Sequence, residues 1–92
     1  MEIQQKDNGK KGQFFIEQNG ENVAEMTYVW AGNNRIIIDH TQVDEKLKGK
    51  GAGKKLVIKA IEFARENGLK ITPLCTFAKS VFDKETRFKD VL

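Results

Sequence analysis

A chain of 92 residues has room for one hydrophobic core, so it reads as a single domain over residues 1–92, with 39% hydrophobic and 32% charged residues. The net charge of +3 is modest and gathers between Lys46 and Lys59, at Lys46, Lys48, Lys50, Lys54, Lys55 and Lys59. No apolar run is long enough to span a membrane, the polar first dozen residues lack a signal-peptide core, and one cysteine excludes an internal disulfide.

Met1 to Gly12 is polar, with Ile3 its only internal apolar residue, and reads as frayed chain or a short edge strand. Gln13 to Gln18 reads as a strand, and Asn19-Gly20 is a two-residue hairpin signal. Val23 to Trp30 is a second strand, in which Ala24, Met26, Tyr28 and Trp30 share one face. Ala31-Gly32-Asn33-Asn34 makes the next turn. Arg35 to Val43 is a third strand, and the run Ile36-Ile37-Ile38 predicts a central strand covered on both faces. Gly51 to Asn67 predicts a helix, with Leu56, Ala60, Phe63 and Ala64 at helical spacing and Gly68 as the stop. Leu69 to Leu74 is a fourth strand, whose pairing on one side must end near Pro73. Phe77 to Phe82 is a short second helix, and Phe88, Val91 and Leu92 dock a terminal turn. Three antiparallel strands, a helix and a strand parallel to the third predict an α+β sheet with helix cover and a right-handed crossover.

The stretch between the third strand and the helix carries the chemistry. Gly49, Gly51 and Gly53 alternate with Lys48, Lys50, Ala52 and Lys54. Glycines let a backbone turn tightly and approach a ligand, and a helix start offers free N–H groups at the positive end of a dipole. Together they make a phosphate cradle. Lysines at a helix N-terminus oppose that dipole, a conflict an anionic ligand would relieve. A Walker A loop fails here, because Lys48 and Lys55 stand where it needs Gly and Ser/Thr. A dinucleotide fingerprint also fails, since the third glycine comes one residue early. The bland reading is a lysine-rich helix start, but three glycines there would cost backbone entropy with no return.

Lys48, Gly51 and Gly53 fit the Gln/Arg-x-x-Gly-x-Gly/Ala loop of the GNAT acetyltransferases, with Lys48 a departure from Gln/Arg. Asp39-His40-Thr41 before the loop and Ile71-Thr72-Pro73-Leu74-Cys75 after it extend the likeness, so the chain resembles a small, truncated, single-domain GNAT-like protein. The resemblance implies acetyl-CoA as co-substrate, held by Thr41, Val43, Lys48, Gly49, Lys50, Gly51, Ala52, Gly53 and Lys54. It implies that the strands ending near Val43 and Leu74 splay apart around the pantetheine arm, with the Val43 main chain bonding it. It implies acetyl transfer to an amine, small molecule or protein, with His40 and Cys75 as catalytic candidates.

Acetyl transfer needs a proton acceptor, a polarised carbonyl and a leaving thiolate. His40 titrates in the right range, though a lone histidine in a strand is equally a packed residue. Cys75 would accept the acetyl group, protonate the thiolate or only line the pocket; a lone buried cysteine is commonly a small hydrophobe. No metal is expected, since one His and one Cys are too few ligands for a structural zinc site. The tyrosine acid common in larger GNAT enzymes has no counterpart near the end of the chain; Phe88 stands there. Two other readings stay open: a CoA-binding module with little turnover, and a basic nucleic-acid-binding domain. The second is disfavoured because no aromatics interleave the lysines. The expected protein is a cytoplasmic monomer.

Overall fold

In the computed structural model, which describes residues 1–92, five strands follow one another across a single sheet. They are β1 (Gln4–Asp7), β2 (Lys11–Gln18), β3 (Glu21–Trp30), β4 (Arg35–Val43) and β5 (Lys70–Pro73). The first four pair antiparallel; β4 and β5 pair in parallel. Helix α1 (Ala52–Asn67) makes the crossover, α2 (Thr76–Lys84) follows β5, and short 3₁₀ turns lie at Glu45–Leu47 and Thr86–Val91. The class is α+β, as the alternation patterns predict. No helix is long and apolar enough to cross a membrane.

One face of the sheet carries the core. Phe14, Ile16, Ala24, Met26, Tyr28, Ile36, Ile38 and Ile71 meet Leu56, Val57, Ala60, Ile61 and Ala64 of α1 in one cluster with Ala78, Val81, Phe82, Phe88 and Val91. The period-2 face of the strands and the 3.6-period stripe of the helix supply these side chains. Gly68 ends α1 with φ +65°, its N–H bonded to the Ala64 carbonyl.

The opposite, outer face has no helix over it. Ile37 there is only half-buried, flanked by an Arg35–Thr72 hydrogen bond of 3.0 Å. The expectation that three consecutive isoleucines mark a strand covered on both faces is therefore corrected: cover comes from neighbouring side chains on one side. Phe15 is the exception, buried on the outer face beneath Lys6, whose ammonium lies 5.1 Å from the ring centre.

The polar start of the chain forms the edge strand, held by more than its ladder. Tyr28 lies across Gly12, where a Cβ would meet the ring at 2.5 Å. Its hydroxyl donates to Asp7 Oδ2 at 2.6 Å, and the Trp30 indole N–H donates to the same carboxylate at 2.9 Å. Burial pushes the Asp7 carboxyl up, but hydrogen bonds from Tyr28, the Gly9 N–H and Trp30 outweigh it and hold the group below its ordinary range. The one tyrosine is thus committed to the fold.

Candidate functional site

Strand β4 has two unlike halves. Arg35 to Ile38 lies between β3 and β5, in register with Lys70 to Pro73. The pairing stops there, where the N–H groups of Leu74 and Cys75 both donate to the Ile38 carbonyl, at 2.9 and 3.0 Å. Pro73 has no N–H to continue the ladder. From Asp39 to Val43 the strand pairs with β3 alone.

A β-bulge sits at the parting point. Tyr28 pairs with Ile38 but Thr27 pairs with His40, which leaves Asp39 as the extra residue. The bulge changes which side chains face which way. Thr41 opposes the core residue Met26, and so faces the helices. Asp39 and His40 face outward and are exposed; Asp39 Oδ1 accepts from the Thr27 hydroxyl at 2.6 Å.

Cys75 ends the segment leaving β5 and is the residue before α2. Its thiol donates to Thr41 Oγ1 at 3.2 Å. Burial raises the thiol pKa, but the Thr41 hydroxyl and the N–H groups of Ala78, Phe77 and Thr41 favour the thiolate and carry the pKa below its ordinary value. No N–H of the first turn makes a full capping bond to the sulfur. Thr41 and Cys75 are brought together; His40 and Cys75 are not, since the bulge places the imidazole on the other face. The thiol's stabilising partners are a hydroxyl and backbone amides.

Beyond Val43, Asp44 caps the Glu45–Leu47 turn by accepting from the Lys46 N–H at 3.0 Å, and Leu47 is buried as its anchor. The glycine loop then leads into α1. Gly51 has φ +72°, and nothing lies within 4 Å of where its Cβ would stand. The first bond of the helical ladder runs from Lys55 N–H to the Gly51 carbonyl at 3.0 Å. The N–H groups of Ala52, Gly53 and Lys54 therefore lack helical acceptors, and no side chain caps the helix. No acidic residue stands in that first turn. Such an N-terminus, with open space over Gly51, suits a diphosphate.

Gly53 differs from Gly51. A Cβ there would fall 2.7 Å from Cζ of Phe77, whose ring lies against the loop while 42% of the residue remains exposed. Val43, Leu47, Gly51, Gly53, Lys54 and Phe77 border a cavity of about 320 Å³ between the end of β4, the glycine loop and the first turn of α2. Among the loop lysines, Lys54 is tied to Glu85 at 2.6 Å and Lys48 to Glu45 at 3.0 Å, while Lys50 and Lys55 have no ion pair. Lys54 thus offers its backbone N–H rather than a free ammonium. Phe77, Thr41's contact with the thiol, and the outward turn of Asp39 were missed by sequence reasoning. A contact between α2 and the loop has no local signature, and a bulge depends on pairing.

Residues 13–91 match the profile of a family described as GCN5-related N-acetyl-transferase. The solution structure of a GCN5-like protein from Staphylococcus aureus is 45% identical, covers 98% of this chain and 85% of its own, and superposes with a TM-score of 0.77. Protein NATD1 of Xenopus tropicalis is 30% identical over 74% of this chain, which spans 63% of that protein's length. Protein NATD1 of Gallus gallus is 30% identical over 82% of this chain and 69% of its own. A ribosomal-protein-alanine N-acetyltransferase of Brucella melitensis shares the fold at 16% identity, with a TM-score of 0.67 over 84% of this chain and 62% of its own. A strand that parts from its neighbour beside a glycine loop, and a profile match along most of the sequence, place this chain in the GCN5-related N-acetyltransferase family.

Proposed function

We propose that this chain is an acetyl-CoA-dependent N-acetyltransferase acting on a primary amine. The observation that carries the reading is the parting of β4 from β5 beside a loop whose Ala52, Gly53 and Lys54 amides are free. Those amides, with Lys48, Gly49, Lys50 and Gly51, would hold the pyrophosphate; Thr41 and the Val43 main chain would line the pantetheine path. Acetyl-CoA supplies an acyl group on a thioester; transfer forms a C–N bond, breaks the C–S bond and releases one proton. His40, exposed on the outer face, takes the proton from the ammonium. The Cys75 thiol, beside Thr41 on the other face, protonates the departing thiolate, and the second proton shed by the nitrogen as the tetrahedral adduct collapses returns through solvent to restore that thiol. We take the chain to act as a cytoplasmic monomer, since one free cysteine suits a reducing compartment.

Calorimetric titration with acetyl-CoA, desulfo-CoA and a short oligonucleotide tests the binding half. Saturable binding of both CoA compounds is expected; saturation by the oligonucleotide alone, lost at raised salt, would instead establish a nucleic-acid-binding domain. Release of CoA in the presence of amines tests the transfer half. Tight binding with no release from any amine would reduce the chain to a CoA-binding module.

A further inference from the structure

The largest concavity of the molecule is not in the gap but on the uncovered outer face of the sheet, with a volume of about 510 Å³. That is within the range of small-molecule sites. Lys6 and Lys11 stand at one end, Asp39 at the other, with Gln13 and Thr27 between them. The register fixes this order: Lys6, Gln13, Thr27 and His40 form one row across β1 to β4. Lys11 pairs with Val29 two strands from β4. Strand spacing puts the lysine strands roughly 10 to 14 Å from Asp39.

Asp7 also lines the lysine end, with its carboxylate held by Tyr28, Trp30 and the Gly9 N–H, whereas Asp39, Lys6 and Lys11 keep unspent charges. Asp39 makes no ion pair; one oxygen takes the Thr27 hydroxyl and the other is free. Lys6 and Lys11 make no ion pair either, and Lys6 is steadied on the Phe15 ring. A cation at Asp39 and an anion at the lysines are the complement of this surface. Asp39 also follows Ile38, the residue at which β4 and β5 part, so its backbone stands at the edge of the gap while its carboxylate leans toward Thr27 of β3.

We infer that the outer face is the acceptor site, and that the acceptor is an amine carrying an anionic group, carboxylate or phosphate, several bonds from the reacting nitrogen. The inference rests on the acetyltransferase reading for its role, but the binding it asserts is separable. Asp39 holds the ammonium beside His40, and Lys6 and Lys11 hold the anion.

The test is an NMR titration of isotope-labelled protein with 6-aminohexanoate, 6-aminohexyl phosphate, hexylamine, hexanoate and hexyl phosphate. The expected result is saturable shifts at the Lys11, Gln13, Thr27 and Asp39 amides, with an amine–anion probe binding about tenfold tighter than hexylamine or hexanoate. The tighter of the two amine–anion probes identifies the anion. Asp39→Asn should bring that probe down to the affinity of its amine-free counterpart, and Lys6→Gln with Lys11→Gln down to that of hexylamine. Equal affinity for all probes, or shifts confined to the helix-covered face, overturns the acceptor site. Acetyl-CoA added to the same sample separates the two claims. Shifts over residues 43–54 without outer-face binding sink the acceptor site alone; outer-face binding without loop shifts sinks the coenzyme reading alone.

Discussion

Two halves of one strand meet opposite fates. Arg35 to Ile38 is enclosed by β3 and β5, and two of its isoleucines are fully buried. Asp39 to Val43 has a neighbour on one side only and contains no buried residue. The first half holds the sheet to the helix; the second leaves its β5-facing edge to the gap. Pro73 and the bulge at Asp39 mark the boundary, one by withholding a donor and the other by turning side chains over. The comparison teaches that removing a neighbour leaves one half of a strand packed into the core and the other half with an edge open to a ligand.

If so, changes in the two regions should separate. Ile38→Ala should cost about 2–5 kcal/mol, a large part of the roughly 5–15 kcal/mol a domain of this kind has. Urea unfolding checks it, and a loss below about 1 kcal/mol would mean the first half is not the anchor. Gly51→Val, beside the open half, should lower acetyl-CoA affinity about a hundredfold. Its stability cost should stay near 1–2 kcal/mol, the ordinary penalty of a side chain in the left-handed region. Normal binding by this variant would break the pyrophosphate assignment.

Gly53→Ala sharpens the contrast between the two loop glycines. Its new Cβ collides with the Phe77 ring rather than with open space. Pairing it with Phe77→Ala should recover about 1 kcal/mol of stability beyond additivity. If the ligand also needs close approach there, the binding loss persists in the double variant. Recovery of binding as well would assign the whole effect to the ring.

The smallest effect is at Thr41. Removing its hydroxyl with Thr41→Val takes a stabilising donor from the Cys75 thiolate, so the thiol pKa rises and less thiolate exists at neutral pH. Alkylation of Cys75 should slow about threefold, with its rate–pH curve displaced to higher pH. In the unaltered protein, saturating acetyl-CoA should protect Cys75. An unchanged rate in the variant would show that the hydroxyl does not tune the thiol.

Much of this was legible beforehand. The predicted third strand, Arg35 to Val43, has the observed bounds, and the predicted helix differs only in that Gly51 precedes its first turn. Alternation, helical spacing and glycine punctuation encode such elements locally. The sequence of β1 fits frayed chain and edge strand alike because its residues are all exposed: its order comes from Gln13, Phe14 and Phe15 across the ladder, and from Tyr28. The sheet face of His40 was not readable either. Strict alternation from Ile38 would turn it inward, and only the pairing with Thr27 reveals the extra residue. The glycine loop is visible from the spacing of Gly49, Gly51 and Gly53, but Phe77 against Gly53 joins residues far apart in sequence.

The clasp of Tyr28 and Trp30 on Asp7 bears on solubility. β1 closes the side of β2 that would otherwise present a row of unpaired amides and carbonyls, the template on which separate chains add to one another. Asp7 titrates with a lowered pKa, so it contributes stability above the ordinary carboxylate range near 3.9 and loses it as pH falls through its folded value. Acid should therefore loosen this edge, with intermolecular pairing along β2 as the consequence. A fusion partner or truncation that pulls the first seven residues away would have the same effect at neutral pH.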